Sequence, residues 1–278
     1  MSKRIVVGLD GSSYARGALE LAVRRAHHYR STLIGVSVVD RPAIEQVEIG
    51  AYPAALHVSH ETISRLLNEA KERAQRRIAE FRAVCEAEGI PHEDIIHSGD
   101  AASALIEEGK TADMIIVGIR TFFSTDPESD PDTTLRDLFK DPVCPVLAVP
   151  ERLDLPRNVI FTYDGTAGAA RALHAYVHVT PQPPEEITMN LLCVSSEYEK
   201  NKFYLEKAES YLIAHGLHPR VLVRSGSPAE VIIETAKEMM PSLVILGTPY
   251  YRGLTERIFG SVTATIIGDG TIPVFVYH

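Results

Sequence analysis

Lys3–Ala22, KRIVVGLDGSSYARGALELA, is the stretch from which the fold can be read, because it occurs twice. A near copy, RNVIFTYDGTAGAARALHAY, runs from Arg157 to Tyr176 and aligns Asp164-Gly165-Thr166 with Asp10-Gly11-Ser12. In both, an apolar run stops at an aspartate, a glycine turns the chain, and apolar positions then recur at helical spacing. In the first copy, Ala15, Ala18, Leu19, Ala22, Val23 and Ala26 fall on one face of a helix expected over Ser12–Tyr29. Internal repetition outranks any single motif as evidence for architecture.

Outward from this core the likeness continues. HSGDAASALIEEGKTADMIIVG, ending at Gly118, matches RSGSPAEVIIETAKEMMPSLVILG, ending at Gly247, with Gly99 on Gly226. The copies close on CPVLAVP (Cys144–Pro150) and IPVFVYH (Ile272–His278). The offset between copies is shorter at these later segments than at the aspartates, so the first copy carries extra residues between its second strand and Gly99. Two domains are expected, residues 1–152 and 153–278, with the join in the polar connector near Glu151–Pro156.

Strands are expected at Arg4–Leu9, Thr32–Val39, Asp94–His97, Asp113–Val117, Val146–Val149 and Ser242–Leu246. Their alternation with helical patterns signals βαβ units around a parallel sheet. Near-continuous apolar runs such as DMIIVG and SLVILG fit a sheet covered on both faces. The fold class is therefore α/β: two tandem doubly wound, Rossmann-like domains, each with a five-stranded, mostly parallel sheet. In such sheets ligands sit beyond the carboxyl ends of the strands where strand order reverses. Asp10, Asp164, Gly118 and Gly247 all fall at such ends. The extra segment of the first copy holds a polar loop over Arg41–His60 and a long helix over Glu61–Glu88. Its stripe is Ile63, Leu66, Leu67, Ala70, Ala74, Ile78, Phe81 and Cys85, and its length is roughly 42 Å.

One loop has the layout of an anion site: ILGTPYYRGLTERIFGSV, Ile245–Val262. A strand stops at Gly247, Gly253 and two arginines follow, and Gly260-Ser261 opens a helix-like turn. Backbone N–H groups at a helix start lack intrahelical partners and carry the positive end of the dipole, so they hold phosphate without a catalytic side chain.

These features together resemble the universal stress protein family, in two copies over nearly the whole chain. The resemblance implies a pseudo-two-fold arrangement in which VLAVP and VFVYH pair, and it is compatible with a homodimer. In nucleotide-binding members the loop reads G-2x-G-9x-G-(S/T), with adenine near the first strand's aspartate and phosphates on the loop. Carried over, it implies ATP or another adenine nucleotide, with Mg as a companion ion, in the C-terminal copy. There Asp164 and Val194 flank adenine and ribose, Gly260, Ser261 and Thr263 contact the phosphates, and Leu246, Gly247, Gly253 and Val262 are further nucleotide-binding positions. Tyr250 departs from the pattern, standing where the middle glycine belongs. In the N-terminal copy the weaker equivalents are Asp10, Val38 and Gly118. The family's Gly-Ser falls there on Asp132-Thr133, and Asp126, Glu128, Asp130 and Asp132 bring negative charge to the phosphate position, with Arg120 the nearest counter-charge. Each like-charge contact at about 4 Å costs on the order of 4 kcal/mol at an effective dielectric of 20, so no triphosphate is expected in this copy.

Composition excludes other classes. Lys and Arg number 28 against 37 Asp and Glu, a net charge of −9, with no basic stripe for nucleic acid or an anionic membrane. No long apolar run or signal-peptide pattern occurs, and the expected location is the cytoplasm. Three scattered cysteines, Cys85, Cys144 and Cys193, suit buried thiols better than disulfides or zinc. Gly109-Lys110-Thr111 is similar to the end of a P-loop, but it closes a helix and enters a strand, the reverse of the required order. His174/His178, His57/His60 and His215/His218 lack a third ligand in sequence and read as surface histidines. Arg252 and Arg257 flank the second loop as phosphate contacts or exposed arginines. No G-x-S-x-G or H-E-x-x-H motif is present, which leaves an adenylyl-transferring enzyme without its signatures. The functional expectation is a stress-response protein that binds an adenine nucleotide without efficient turnover. The alternative is an interaction or lipid-like ligand module whose two nucleotide sites have decayed.

Overall fold

The structure is a computed structural model describing residues 3–42, 44, 60–124, 130–140, 142–152, 154–181, 183–196, 198–247 and 261–277. Strands and helices alternate throughout. The first sequence copy forms β1 (Arg4–Gly8), α1 (Ser13–Tyr29), β2 (Thr32–Val39), α2 (His60–Ala87), β3 (His92–Ser98), α3 (Ala101–Gly109), β4 (Met114–Gly118), α4 (Thr134–Leu138) and β5 (Val146–Val149). The second forms β6 (Asn158–Thr162), α5 (Ala167–Val179), β7 (Thr188–Val194), α6 (Tyr198–Ala214), β8 (Arg220–Arg224), α7 (Pro228–Glu238), β9 (Ser242–Gly247), α8 (Ser261–Asp269) and β10 (Val274–Tyr277).

The contacts of the chain divide into two compact units between Leu138 and Phe139. The first unit has the strand order β3-β2-β1-β4, and the pairs β3–β2, β2–β1 and β1–β4 are all parallel. The second runs β5-β10-β9-β6-β7-β8. Every pair there is parallel except β5 with β10, where Leu147 faces Phe275 in antiparallel register. VLAV and VFVY thus pair as the resemblance implied, and this pairing puts β5 in the second unit although it closes the first sequence copy.

Why these residues form these elements is visible at the repeated turn. Gly11 and Gly165 both have positive φ, 84° and 82°, a conformation nearly closed to side-chain-bearing residues. The following Ser12 and Thr166 cap α1 and α5, their hydroxyl oxygens accepting the N–H groups of Ala15 and Ala169 at 3.1 and 3.3 Å. All five residues of β4 are buried, so this strand is covered on both faces of its pleat. The expected strand Asp94–His97 is longer, because β3 pairs with β2 from His92 to Ser98. As an edge strand it is only partly buried, and its polar ends hid its length. In α2, Ala70, Ala74, Ile78, Phe81 and Cys85 are buried, with Leu67 packed beside them. Gly35 on β2 leaves the room that the Phe81 ring fills, since a Cβ there would lie 2.5 Å from it. The long helix is therefore part of the core of the first unit.

All three cysteines are buried; burial pushes the Cys85 thiol up to about 11. No helix among the described residues is long and apolar enough to cross a membrane.

Candidate functional site

In each unit the chain leaves its first strand for one side of the sheet and returns on the other, so strand order reverses between β1 and β4 and between β6 and β9. At the first reversal Val7 lies beside Ile116. At the second Phe161 lies beside Ile245, and the Thr162 hydroxyl donates to the Ile245 carbonyl at 2.9 Å. Asp10 and Gly118 therefore share one mouth, and Asp164 and Gly247 the other.

The mouth of the first unit is filled by the protein itself. Asp10 is 1% exposed; one carboxylate oxygen accepts Ser12 N–H and the other accepts Phe122 N–H, both at 2.8 Å. Burial raises its pKa, opposed by the Ser12 and Phe122 hydrogen bonds and by the Arg77 charge. Arg77, on α2, lies over the turn: a Cβ on Gly11 would be 2.7 Å from its Nε. Burial lowers the Arg77 pKa, and Asp10 opposes that shift. The segment after β4 folds inward, with Ile119, Thr121, Phe122 and Phe123 all buried. A Cβ on Gly8 would sit 3.1 Å from the Phe123 ring, and one on Gly118 would sit 2.6 Å from Tyr14 Cβ. Val38 is likewise buried.

Asp132 completes this plug. Its carboxylate accepts the backbone N–H groups of Thr134 and Ser124 at 3.0 and 3.1 Å, together with the hydroxyls of Thr121 and Ser124. Its own N–H donates to the Thr121 carbonyl at 2.8 Å. Two N–H and two O–H donors converging on two oxygens is the donor set a phosphate would use, satisfied here by a side chain. Repulsion from acidic residues was the expectation for this position; Asp132 instead acts as an internal anion. Asp130 is exposed, and Asp126 and Glu128 lie outside the described residues.

The second unit is arranged differently at the same points. Asp164 is exposed and accepts Thr166 N–H at 3.0 Å through one oxygen; among the described residues no donor reaches the other oxygen. Burial raises the pKa of Tyr163 and of Cys193, and the negative charge of Asp164 adds to the shift in both. Val194, the last residue of β7, is half-buried. Leu246 is buried, and Gly247 owes its identity to packing, since a Cβ would strike the backbone of Gly168 and Ala169 in the first turn of α5. Ser261 is the exposed first residue of α8, Val262 is half-buried and Thr263 is buried. Tyr250, Arg252, Gly253, Arg257 and Gly260 lie outside the described residues.

Two neighbours of these sites escape a reading of the sequence. Arg77 over Gly11 and Tyr204 over Gly165 come from helices far along the chain, and no local pattern marks them. Asp132, which the sequence places at the phosphate position, makes an Asx turn there, its carboxylate accepting the N–H two residues on. Elsewhere, His174 packs on Tyr211 with ring centroids 4.4 Å apart, and His215 packs on the same ring at 4.3 Å. Among the described residues no group of three His, Cys, Asp or Glu could hold a metal ion.

The model of the Universal stress protein family matches residues 1–125 and 165–278. A universal stress protein of Synechocystis sp. is 22% identical over 290 residues, covering 99% of this chain and all of its own length. One from Mycolicibacterium smegmatis is 25% identical over 302 residues, covering 98% of this chain and 96% of its own. Among solved structures, a universal stress protein from Archaeoglobus fulgidus superposes with a TM-score of 0.69 at 18% identity, over 99% of this chain and 98% of that one.

Proposed function

The chain belongs to the universal stress protein family, and from that premise we propose that its C-terminal half binds ATP or a related adenine nucleotide, while its N-terminal half binds none. The nucleotide acts by being bound, without efficient turnover. The observation that carries this reading is the contrast between the two aspartates. Asp10 is buried with a backbone N–H on each oxygen, whereas Asp164 is exposed, with Thr166 N–H on one oxygen and no donor among the described residues on the other. An open carboxylate at a strand-order reversal can accept a hydrogen bond from the amino group of a base. The start of α8 at Ser261 supplies N–H groups with no partner in the helix, suited to phosphate. Any Mg²⁺ would be held mainly by the phosphates and water, as is usual for this ion.

Calorimetric titration of the whole chain with ATP tests the reading. About one site per chain is expected, and the Gly260→Asp chain, folded by circular dichroism, should show none, because a carboxylate at the helix start competes with phosphate. Undiminished affinity in that variant, or no binding by the unmodified chain, would sink the assignment.

A further inference from the structure

We propose that Tyr204 is the surface on which the base of the bound nucleotide stacks, making this α6 residue a specificity determinant of the C-terminal site. The inference rests on the nucleotide reading above. Gly165 follows Asp164 directly, has φ of +82°, and sits under the Tyr204 ring: a Cβ there would lie 2.9 Å from Cγ and 3.0 Å from Cδ2. The glycine thus lets an aromatic ring settle onto the turn that carries the open carboxylate.

Tyr204 nevertheless stays 47% exposed, and its neighbour Phe203 is 60% exposed. Their rings meet edge to face with centroids 5.6 Å apart, one side of the Tyr204 ring rests on Gly165, and Lys207 Nζ lies 5.6 Å from the Phe203 centroid. A large ring that is held in place, left half-uncovered and set beside a hydrogen-bond acceptor offers what a purine needs, a flat face and a polar edge. Among its described residues the first unit presents no such face. The equivalent position over Gly11 is taken by the Arg77 guanidinium, which lies next to a buried aspartate.

The ring therefore contributes to recognition of the base and not of the phosphates, so ATP and inorganic tripolyphosphate should respond differently to its removal. Tyr204→Ala should weaken ATP binding about tenfold and leave tripolyphosphate binding within about twofold. Because the chain contains no tryptophan, Tyr204→Trp creates a single fluorophore at the position in question. Its emission should be quenched saturably by ATP, with the affinity that calorimetry gives, and should not respond to tripolyphosphate. ATP binding of unchanged affinity in Tyr204→Ala, or calorimetric ATP binding to Tyr204→Trp without a change in emission, overturns the stacking role alone. Absence of ATP binding to the unmodified chain overturns both this role and the nucleotide reading.

Discussion

The two strand-end mouths start from the same Asp-Gly-Ser/Thr turn and reach opposite states. In the first unit a buried aspartate meets two backbone donors, an arginine covers the turn, two phenylalanines fold in behind, and Asp132 gathers four donors. In the second, the aspartate is exposed and a half-uncovered tyrosine lies over the turn. The difference shows that one repeated turn can be completed in two ways: where its donors are satisfied from within, the strand ends become ordinary core, and the residues there come to matter for stability.

That conversion can be broken by mutation, and the largest effect belongs to the inward-folded segment. Phe123→Ala should lower unfolding free energy by about 3–5 kcal/mol, as for other buried aromatics. Ser261→Ala, exposed at the start of α8, should stay within about 0.5 kcal/mol. Urea denaturation followed by circular dichroism measures both, and similar costs at the two positions would mean that the inward-folded segment is not part of the core. Asp132→Ala comes next. It leaves the Thr134 N–H at the start of α4, and the Ser124 and Thr121 donors, without their acceptor, so about 2 kcal/mol is expected in the same assay. A loss below about 0.5 kcal/mol would mean that the carboxylate is replaceable by water.

The smallest effect is one of pH. The folded pKa of Asp10 is raised above its ordinary 3.8 by burial, so the folded chain holds that proton more tightly than the unfolded one. Its stabilising contribution is fully present below about 3.8 and disappears as pH rises through the raised value. Asp269 in the second unit behaves oppositely. Partial burial pushes its pKa up, but hydrogen bonds from Lys237 and Thr271 outweigh this and hold it below 3.8. Its contribution is present above 3.8 and fades as pH falls through the lowered value. The stability of the unmodified chain relative to Asp10→Asn should therefore be greatest at the acid end and shrink as pH rises, with the reverse trend against Asp269→Asn. Parallel pH profiles for the two variants would show that burial does not govern Asp10.

Much of this fold is legible in the sequence because its strands are short apolar runs ending at the same few residues. Arg4–Gly8, Thr32–Val39 and Val146–Val149 stand out from their neighbours by hydropathy alone, and repetition reinforces each reading. The edge strand β3 was only half legible, because a strand covered on one side need not be apolar along its length. The mouths were less legible for a physical reason. Thr121-Phe122-Phe123 adjoins an acidic stretch, and two consecutive aromatic residues have no period that distinguishes a buried loop from an exposed one. Arg77 and Tyr204 sit on helices whose contacts with the Asp-Gly turns depend on how the chain folds back, and spacing cannot report that. The glycine of SLVILG reads from the sequence as part of a ligand loop, and a Cβ there would also meet the backbone of Gly168 and Ala169. Close approach of two main chains and close approach to a phosphate call for the same residue.

The antiparallel pair between β5 and β10 has one more consequence. The polypeptide repeats at one place and separates at another, so a half-chain cut at the connector after Val149 would keep β10 and lose the strand that occupies its outer edge. Val274–Val276 would then offer bare amide and carbonyl groups along an apolar strand, a template for pairing with a second molecule. Keeping the two halves in one polypeptide supplies that edge with its partner at a fixed ratio of one to one.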